Sequence, residues 1–217
     1  MQVMVEHSPN AQLIDAIHRL ERLAPPADIS ISTRSGGAGL LIAWGGGDGD
    51  RLTTEQVVFV ARDGGIKGRA HQPAPDWSLH HAIYQAYAEA HAVVHVQSAH
   101  AVALASLRRS LPAFHPRIAV AGGDSVPCVP YLRPGSAALS GAVVEALAKR
   151  SACLVAHDGL ITIGSSLAQA TSSAISIEFL CQSYLAALAA GEPPRLERAE
   201  IALALDKLRS YTRSPRA

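Results

Sequence analysis

The sequence predicts an α/β protein on three observations. Helical and strand hydrophobic patterns follow one another along the chain, neighbouring strand patterns are joined by tight glycine-bearing turns, and 217 residues at 48% hydrophobic supply one sizeable core. A single domain over residues 1–217 is expected. Charged residues make up 17% and the formal net charge is +1, which argues against a nucleic-acid footprint and an acidic disordered tail. Small molecules or copies of the chain itself are the expected partners. Cys128, Cys153 and Cys181 are odd in number, far apart and without CxxC spacing, so neither a disulfide framework nor a thiolate zinc site is expected, and a reducing cytoplasm fits. The opening MQVMVEHSPN lacks a basic region ahead of an apolar run, and no stretch reaches the length of a membrane span without charge or turn residues. Export and membrane insertion are therefore not expected.

Taken in order, Ser8 and Pro9 read as a helix cap followed by proline at the first helical position. Leu13, Ile14, Ile17, Leu20 and Leu23 then recur at helical spacing until Pro25-Pro26 ends the run. Residues 29–33 and 40–44 are strand candidates on either side of Ser35-Gly36-Gly37-Ala38-Gly39, a hairpin connection. The GGGDGD run at 45–50 lacks the lysine spacing of a P-loop and reads as a flexible turn. Residues 57–61 form a β-branched run ending at the turn Asp63-Gly64-Gly65. Asp76 precedes Trp77, Leu79, Ile83 and Ala86, a helical pattern, and sits where a helix N-terminus favours a carboxylate; as a cap it requires no further role.

A strand over 92–97 and a helix over 99–107 follow, then strand candidates at 118–120 and 126–129, then Pro134-Gly135-Ser136 ahead of a helix carrying Leu139, Val143, Val144 and Leu147. Residues 152–156 form an apolar strand that runs into His157-Asp158-Gly159, and 160–163 resumes the strand pattern. Leu167–Leu188 reads as one long helix whose apolar residues, Phe179 among them, are too many for a narrow stripe, so packing on two sides is expected. Gly191-Glu192-Pro193-Pro194 stops it, and a more charged helix over 196–208 leads into Ser210-Tyr211-Thr212 and a basic tail.

The chemistry concentrates in AVVHVQSAH at 92–100. At the two-residue period of a strand, Val94 and Val96 face one side while His95 and Gln97 face the other. Polar groups on so apolar a strand need a partner, which is a metal, a substrate or a hydrogen bond from a neighbouring element. Among the other histidines, His80 and His81 are adjacent on a helix and point apart, so at most one looks inward. His100, beyond the strand, is read as a surface or interface residue, the other reading being that it reaches the same pocket as His95, and His115, ahead of Pro116, as a loop residue.

The run VVHVQSAHAVALASLRRSLPAFHPRIAVAGGDSVPCVPY, followed by PGSAALSGAVVEALAKRSACLVAHDGLITIG, resembles the class II aldolase and adducin family, over about residues 11–211. The resemblance implies a three-layer α/β/α sandwich around a mainly antiparallel sheet, assembled as a homotetramer with sites between subunits. It also implies a lyase of carbohydrate metabolism, in which a divalent metal, usually zinc, polarises the oxygens of a small sugar-derived substrate during retro-aldol cleavage. Related epimerase or decarboxylase chemistry occurs in the superfamily. The adducin branch implies the alternative, a catalytically inactive binding or structural protein that keeps the fold and the oligomer.

Residue by residue, the family's His-x-His becomes His95-Val96-Gln97. The family's third histidine, directly before a glycine, becomes Asp158, with His157 one position earlier and able to reach the site through a local bulge. The family's acid before the helix is matched by Asp76, and its proton-donating tyrosine from a neighbouring subunit by Tyr211. In the phosphate region Gly-Asn-x-Ser becomes Ala27-Asp28-Ile29-Ser30, Thr-x-x-Gly becomes Ala43-Trp44-Gly45-Gly46, and a Ser-Ser pair becomes Ala74-Pro75. The resemblance thus makes Asp76 and Tyr211 the catalytic candidates, Ser30 and Gly45 the substrate-binding candidates, and His95, Gln97, Asp158 and His157 the metal-ligand candidates. One imidazole with carboxylates and an amide is a harder set than three imidazoles, which shifts preference from zinc towards manganese, iron or magnesium. The other arrangement open to these residues is a hydrogen-bonded cluster with no ion, His95 pairing with Asp76 or Asp158.

Overall fold

The computed structural model describes residues 8–22, 28–45, 52–67 and 72–213, apart from the side chains of 209 and 211–213. Leu23 and the Pro25-Pro26 stop, Ala27, the glycine-rich run beyond Gly45, and the side chain of Tyr211 lie outside the described residues.

The expected hairpins form. Strands β1 (Ile29–Ser35) and β2 (Gly39–Gly45) pair antiparallel, and β3 (Val58–Ala61) pairs with β2 before turning into β4 (Ile66–Lys67). Strand β5 (Ala92–Val96) lies antiparallel to β1 on its other side. β6 (Leu111–Pro112) and β7 (Ser125–Val126) make a small separate ladder. Among the described residues β8 (Cys128–Val129), β9 (Ala152–Val155) and β10 (Gly159–Gly164) complete an eight-stranded sheet of order β4-β3-β2-β1-β5-β10-β9-β8, in which only β8 and β9 run parallel. The sheet is therefore mainly antiparallel, as expected.

Strand alternation divides the core into two layers. Ile29, Ile31, Val94, Val96, Leu154 and Leu160 point to one face, where α1 (Pro9–Glu21), α3 (Ala99–Ser106) and α5 (Leu167–Leu188) pack, with Ile201 of α6 (Arg198–Arg213) closing the edge. Ile42, Val60, Val93, Val155 and Ile161 point to the other, under α2 (Trp77–Ala86) and α4 (Ala137–Leu147). Full burial of each Val, Ile or Leu contributes about 1.5–3 kcal/mol before chain entropy is subtracted. The result is the α/β/α sandwich.

Local differences from the sequence expectations have physical causes. Residues 118–120 are not a strand. They lie in a 3-10 helix, Pro116–Ala121, which His115 caps by accepting from the Arg117 N–H at 3.0 Å and which Gly122 ends at φ +79°. Residues 126–129 split into β7 and β8 at Pro127, which has no N–H to give a ladder. On α5, Phe179 is 46% exposed, with the Arg117 guanidinium 5.1 Å from its ring centre, so that residue is no part of the core.

Candidate active site

Strand register builds one wall of the site. Trp44 stands opposite Ser30, Ser30 opposite His95 and His95 opposite Ile161, so a row of four side chains crosses β2, β1, β5 and β10 on the face that α2 and α4 cover. The start of α2 then brings Asp76 over this row. Contrary to the cap reading, the Asp76 side chain makes no capping hydrogen bond to its own helix. Its Oδ2 accepts instead from Ser30 Oγ at 2.5 Å and from His95 Nδ1 at 2.7 Å.

Behind Asp76 runs a buried chain of hydrogen bonds. His80, one helical turn on and fully buried, has Nε2 2.9 Å from Ser30 Oγ and Nδ1 2.7 Å from Ser32 Oγ, and Ser32 Oγ is 3.0 Å from the Tyr84 hydroxyl. Donor accounting gives the chain one direction. An ionised Asp76 can only accept, so Ser30 donates to it and accepts from His80 Nε2–H. His80 Nδ1 then accepts from Ser32, and Ser32 accepts from Tyr84.

The opposite wall is Asp158. Its Oδ1 accepts from Gln97 Nε2 at 2.8 Å, and its Oδ2 is 3.3 Å from His95 Nε2, an ionic contact without hydrogen-bond geometry. The turn that presents it depends on Gly159, where a Cβ would come 2.5 Å from the Val96 carbonyl oxygen of β5. His95 is thus an imidazole between two carboxylates. Burial alone would lower its pKa, but the Asp158 and Asp76 carboxylates outweigh burial and raise it to about 10. Burial would raise Asp76; His80 and His95 outweigh it and hold that carboxyl well below the usual range. Burial likewise acts to raise Asp158, and His95, helped by the Gln97 amide, turns the shift downward.

Among the described residues two buried side-chain polar atoms are left without a hydrogen-bond partner, Asp76 Oδ1 and His95 Nε2. Both residues line one cavity of about 370 Å³, together with Asp28, Ser30, Trp44 and Asp158. An unpaired buried polar group costs about 1–3 kcal/mol, so its persistence marks a place for a ligand.

The remaining candidates lie elsewhere. His157 has φ +59°, contacts Arg108 Nε through its Nε2 at 3.3 Å, lies edge-on to Tyr131 and does not line the cavity; the bulge that would carry it inward does not form. Gly45 is buried against α1, where a Cβ would come 2.6 Å from Ile17 Cγ2, so it serves a close approach of strand and helix and faces away from the cavity. His81 turns outward, as expected, to the Arg62 carbonyl at 3.0 Å. Tyr211 falls within the span of α6. His100 is bound by Glu178, a buried carboxylate of α5 that accepts from Ser98 Oγ, His100 Nδ1 and the His100 and Ala101 N–H groups. Glu178 thereby caps α3 in place of Ser98, whose side chain makes no cap bond.

A divalent ion fits these donors in part. Among the described residues no three His, Cys, Asp or Glu side chains converge as a metal cluster. The orphaned His95 Nε2 and Asp158 Oδ2, 3.3 Å apart, have the spacing of two ligands on one tetrahedral ion with bonds of about 2.0–2.1 Å. The Gln97 amide beside Asp158 supplies a third, weak oxygen. Asp76 holds Nδ1, on the opposite edge of the ring, and is the outer carboxylate that orients the imidazole. Such a set suits a hard, weakly held ion.

Fold and site together define a class II aldolase-type protein. The chain belongs to the class II aldolase and adducin family: the model of the Class II Aldolase and Adducin N-terminal domain matches residues 14–185. It is similar to the L-fuculose phosphate aldolase of Escherichia coli (strain K12), 38% identical over 206 residues that cover 92% of this chain and 94% of that one. It is also similar to the 5-methylthioribulose-1-phosphate/5-deoxyribulose-1-phosphate aldolase of Rhodospirillum rubrum, 34% identical over 201 residues covering 92% and 90%. Among solved structures, an L-fuculose 1-phosphate aldolase superposes with a TM-score of 0.87 at 26% identity, covering 94% of this chain and 98% of that one. The scaffold-only alternative is not favoured. Among the described residues no helix is long and apolar enough to cross a membrane.

Sequence reasoning missed the Ser32–His80–Tyr84 chain and the Glu178 cap. The first carried a signal: Asp76 and His80 are four residues apart, on one helix face, and Ser30 and Ser32 share one strand face. Glu178 offered only an acid inside an apolar helix.

Proposed function

We propose that this protein is an aldehyde-lyase of class II aldolase type, cleaving the carbon–carbon bond of a small hydroxy-carbonyl compound in the cavity between Asp76 and Asp158. The observation that carries this reading is the pair of unpartnered buried atoms, Asp76 Oδ1 and His95 Nε2, on one cavity wall. In retro-aldol cleavage a base removes the proton of the hydroxyl on the β-carbon, the far end of the bond that breaks, and that oxygen becomes the carbonyl of the released aldehyde. The bond's electron pair moves into the carbonyl, and the resulting enediolate is reprotonated on carbon. Asp76 Oδ1 is the base. It is ionised in the resting protein and held by the Ser30 and His95 bonds to Oδ2. His95, oriented by Asp76, presents Nε2 to the oxygen on which negative charge develops. With a divalent ion bound, Nε2 would instead be a ligand alongside Asp158 and Gln97, and the ion would take over stabilisation of that oxygen. Manganese, iron or magnesium suits this set better than zinc.

A homotetramer, with Tyr211 of a neighbouring copy returning the proton to carbon, completes the proposal. Light scattering coupled to size exclusion tests the assembly, and loss of turnover in Tyr211→Phe tests the proton donor. The central test combines a retro-aldol assay on hydroxy-ketone substrates with calorimetric titration of manganese and zinc. Turnover that rises with manganese and is lost in His95→Asn is the expected result. Absence of turnover on every hydroxy-ketone tried, with or without metal, would sink the lyase reading.

A further inference from the structure

The geometry points to an uncharged, unphosphorylated polyhydroxy carbonyl compound as the ligand of this cavity, a substrate class that rests on the lyase reading above. Among the described residues the charged side chains lining it are Asp28, Asp76, Asp158 and His95, and no Lys or Arg is among them. His95 lies in ionic contact with both Asp76 and Asp158, which offsets part of their charge. Asp28 is exposed at the edge of the same cavity and has no ion pair among the described residues. The described lining therefore carries an excess of negative charge.

A phosphate dianion needs cations or a fan of N–H and O–H donors. Beside His95, the side-chain donors of the described lining are the Ser30 and Ser140 hydroxyls, the Trp44 indole N–H and the Gln97 amide, and no Lys or Arg is among them. Pro75 has no N–H, and the Ser30 hydroxyl donates to Asp76. Hydroxyl groups need the reverse, acceptors for their hydrogens and an apolar plate for their C–H faces. The Asp28 carboxylate accepts from hydroxyls, and the Trp44 indole, 46% exposed and lining the cavity, covers carbon. The two sit on one side of the catalytic pair, with Trp44 directly opposite Ser30 in the β1–β2 register and Asp28 adjoining the start of β1. Asp28 is the specificity-determining residue. Like charge at this point disfavours a phosphorylated substrate by on the order of tenfold, because Asp28 is exposed and its charge is screened by solvent.

The test compares dihydroxyacetone with dihydroxyacetone phosphate, as aldol donors to a small aldehyde with manganese supplied, in wild type and in Asp28→Asn. Binding of each ketone is followed separately by saturation-transfer NMR. Expected is a higher kcat/KM for dihydroxyacetone in the wild type, and a ratio that moves about tenfold towards the phosphate in Asp28→Asn. A wild-type preference for the phosphate, or a ratio unmoved by Asp28→Asn, overturns the assignment. Should neither ketone react, the lyase reading fails by itself. The NMR comparison then still decides the ligand class: saturation transfer to dihydroxyacetone and not to its phosphate upholds it, and any other pattern overturns it.

Discussion

Asp76 stands at the head of a buried run of hydrogen-bonded side chains, whereas Asp158, across the same imidazole, is held by one exposed amide and a turn whose middle residue, His157, is left-handed. Their exposure hardly differs, 22% against 21% of the side chain. What differs is the number of partners that fix each carboxylate. One oxygen of Asp76 is immobilised by Ser30 and His95 while the other is left free, the arrangement of a base whose geometry is set before substrate arrives. Asp158 has the looser arrangement of a group that adapts to a ligand. The largest effect should follow from this. Asp76→Asn keeps the shape but removes the base, so kcat in a retro-aldol assay should fall by about 10²–10⁴. A residual rate within tenfold of wild type would mean that the chemistry uses the other wall.

The second contrast is in stability. Ser32→Ala or His80→Leu leaves buried hydroxyls without partners and should cost about 1–3 kcal/mol in urea unfolding. His80→Leu should also lower kcat with little change in KM, because Asp76 is then mispositioned. Gln97→Ala, on the exposed side, should cost less than about 1 kcal/mol. Equal losses from the two walls would erase the difference argued above.

The two walls also differed in how far they could be read from sequence. Alternation in AVVHVQSAH put His95 on a strand face with Gln97, and the family resemblance, through the residue before Gly159, put Asp158 beside it. The hairpins and the long helix Leu167–Leu188 were legible because periodicity and turn chemistry are local, while the mainly antiparallel sheet as a whole came from the family resemblance. The direction in which Asp76 turns was not. A carboxylate before a helix satisfies capping and tertiary hydrogen bonding equally well in sequence, and only the register that sets Ser30 beside His95 decides between them. The role of Gly45 was misread because a glycine needed for phosphate approach and one needed for helix–strand contact look alike along a chain.

Acid and base should probe the imidazole that joins the walls. Its folded pKa is raised to about 10, so the stability it contributes is fully present below the unfolded value of about 6.5 and is lost as pH rises through about 10. Asp76 and Asp158 are lowered, so their contributions are present above about pH 4 and lost as pH falls through their folded values. Unfolding midpoints measured from pH 6 to 10 should therefore fall towards base in the wild type. In His95→Asn that fall should flatten; an unchanged slope would assign the titration to another group.

The smallest effect is expected where the sequence placed a ligand and the fold did not. His157 holds a left-handed backbone that costs an L-residue about 1–2 kcal/mol, and its side chain packs on Tyr131 and Arg108 away from the cavity. His157→Gly relieves that strain and gives up those contacts, so stability should change by no more than about 1 kcal/mol, with its balance towards a gain. Turnover and manganese affinity should stay at wild-type values, because Asp158, whose position depends on Gly159 fitting against β5, is still presented to His95 Nε2. A tenfold loss of metal affinity in His157→Gly would show that the turn shifts when an ion arrives, and that the adaptable wall recruits the imidazole that the resting fold directs outward.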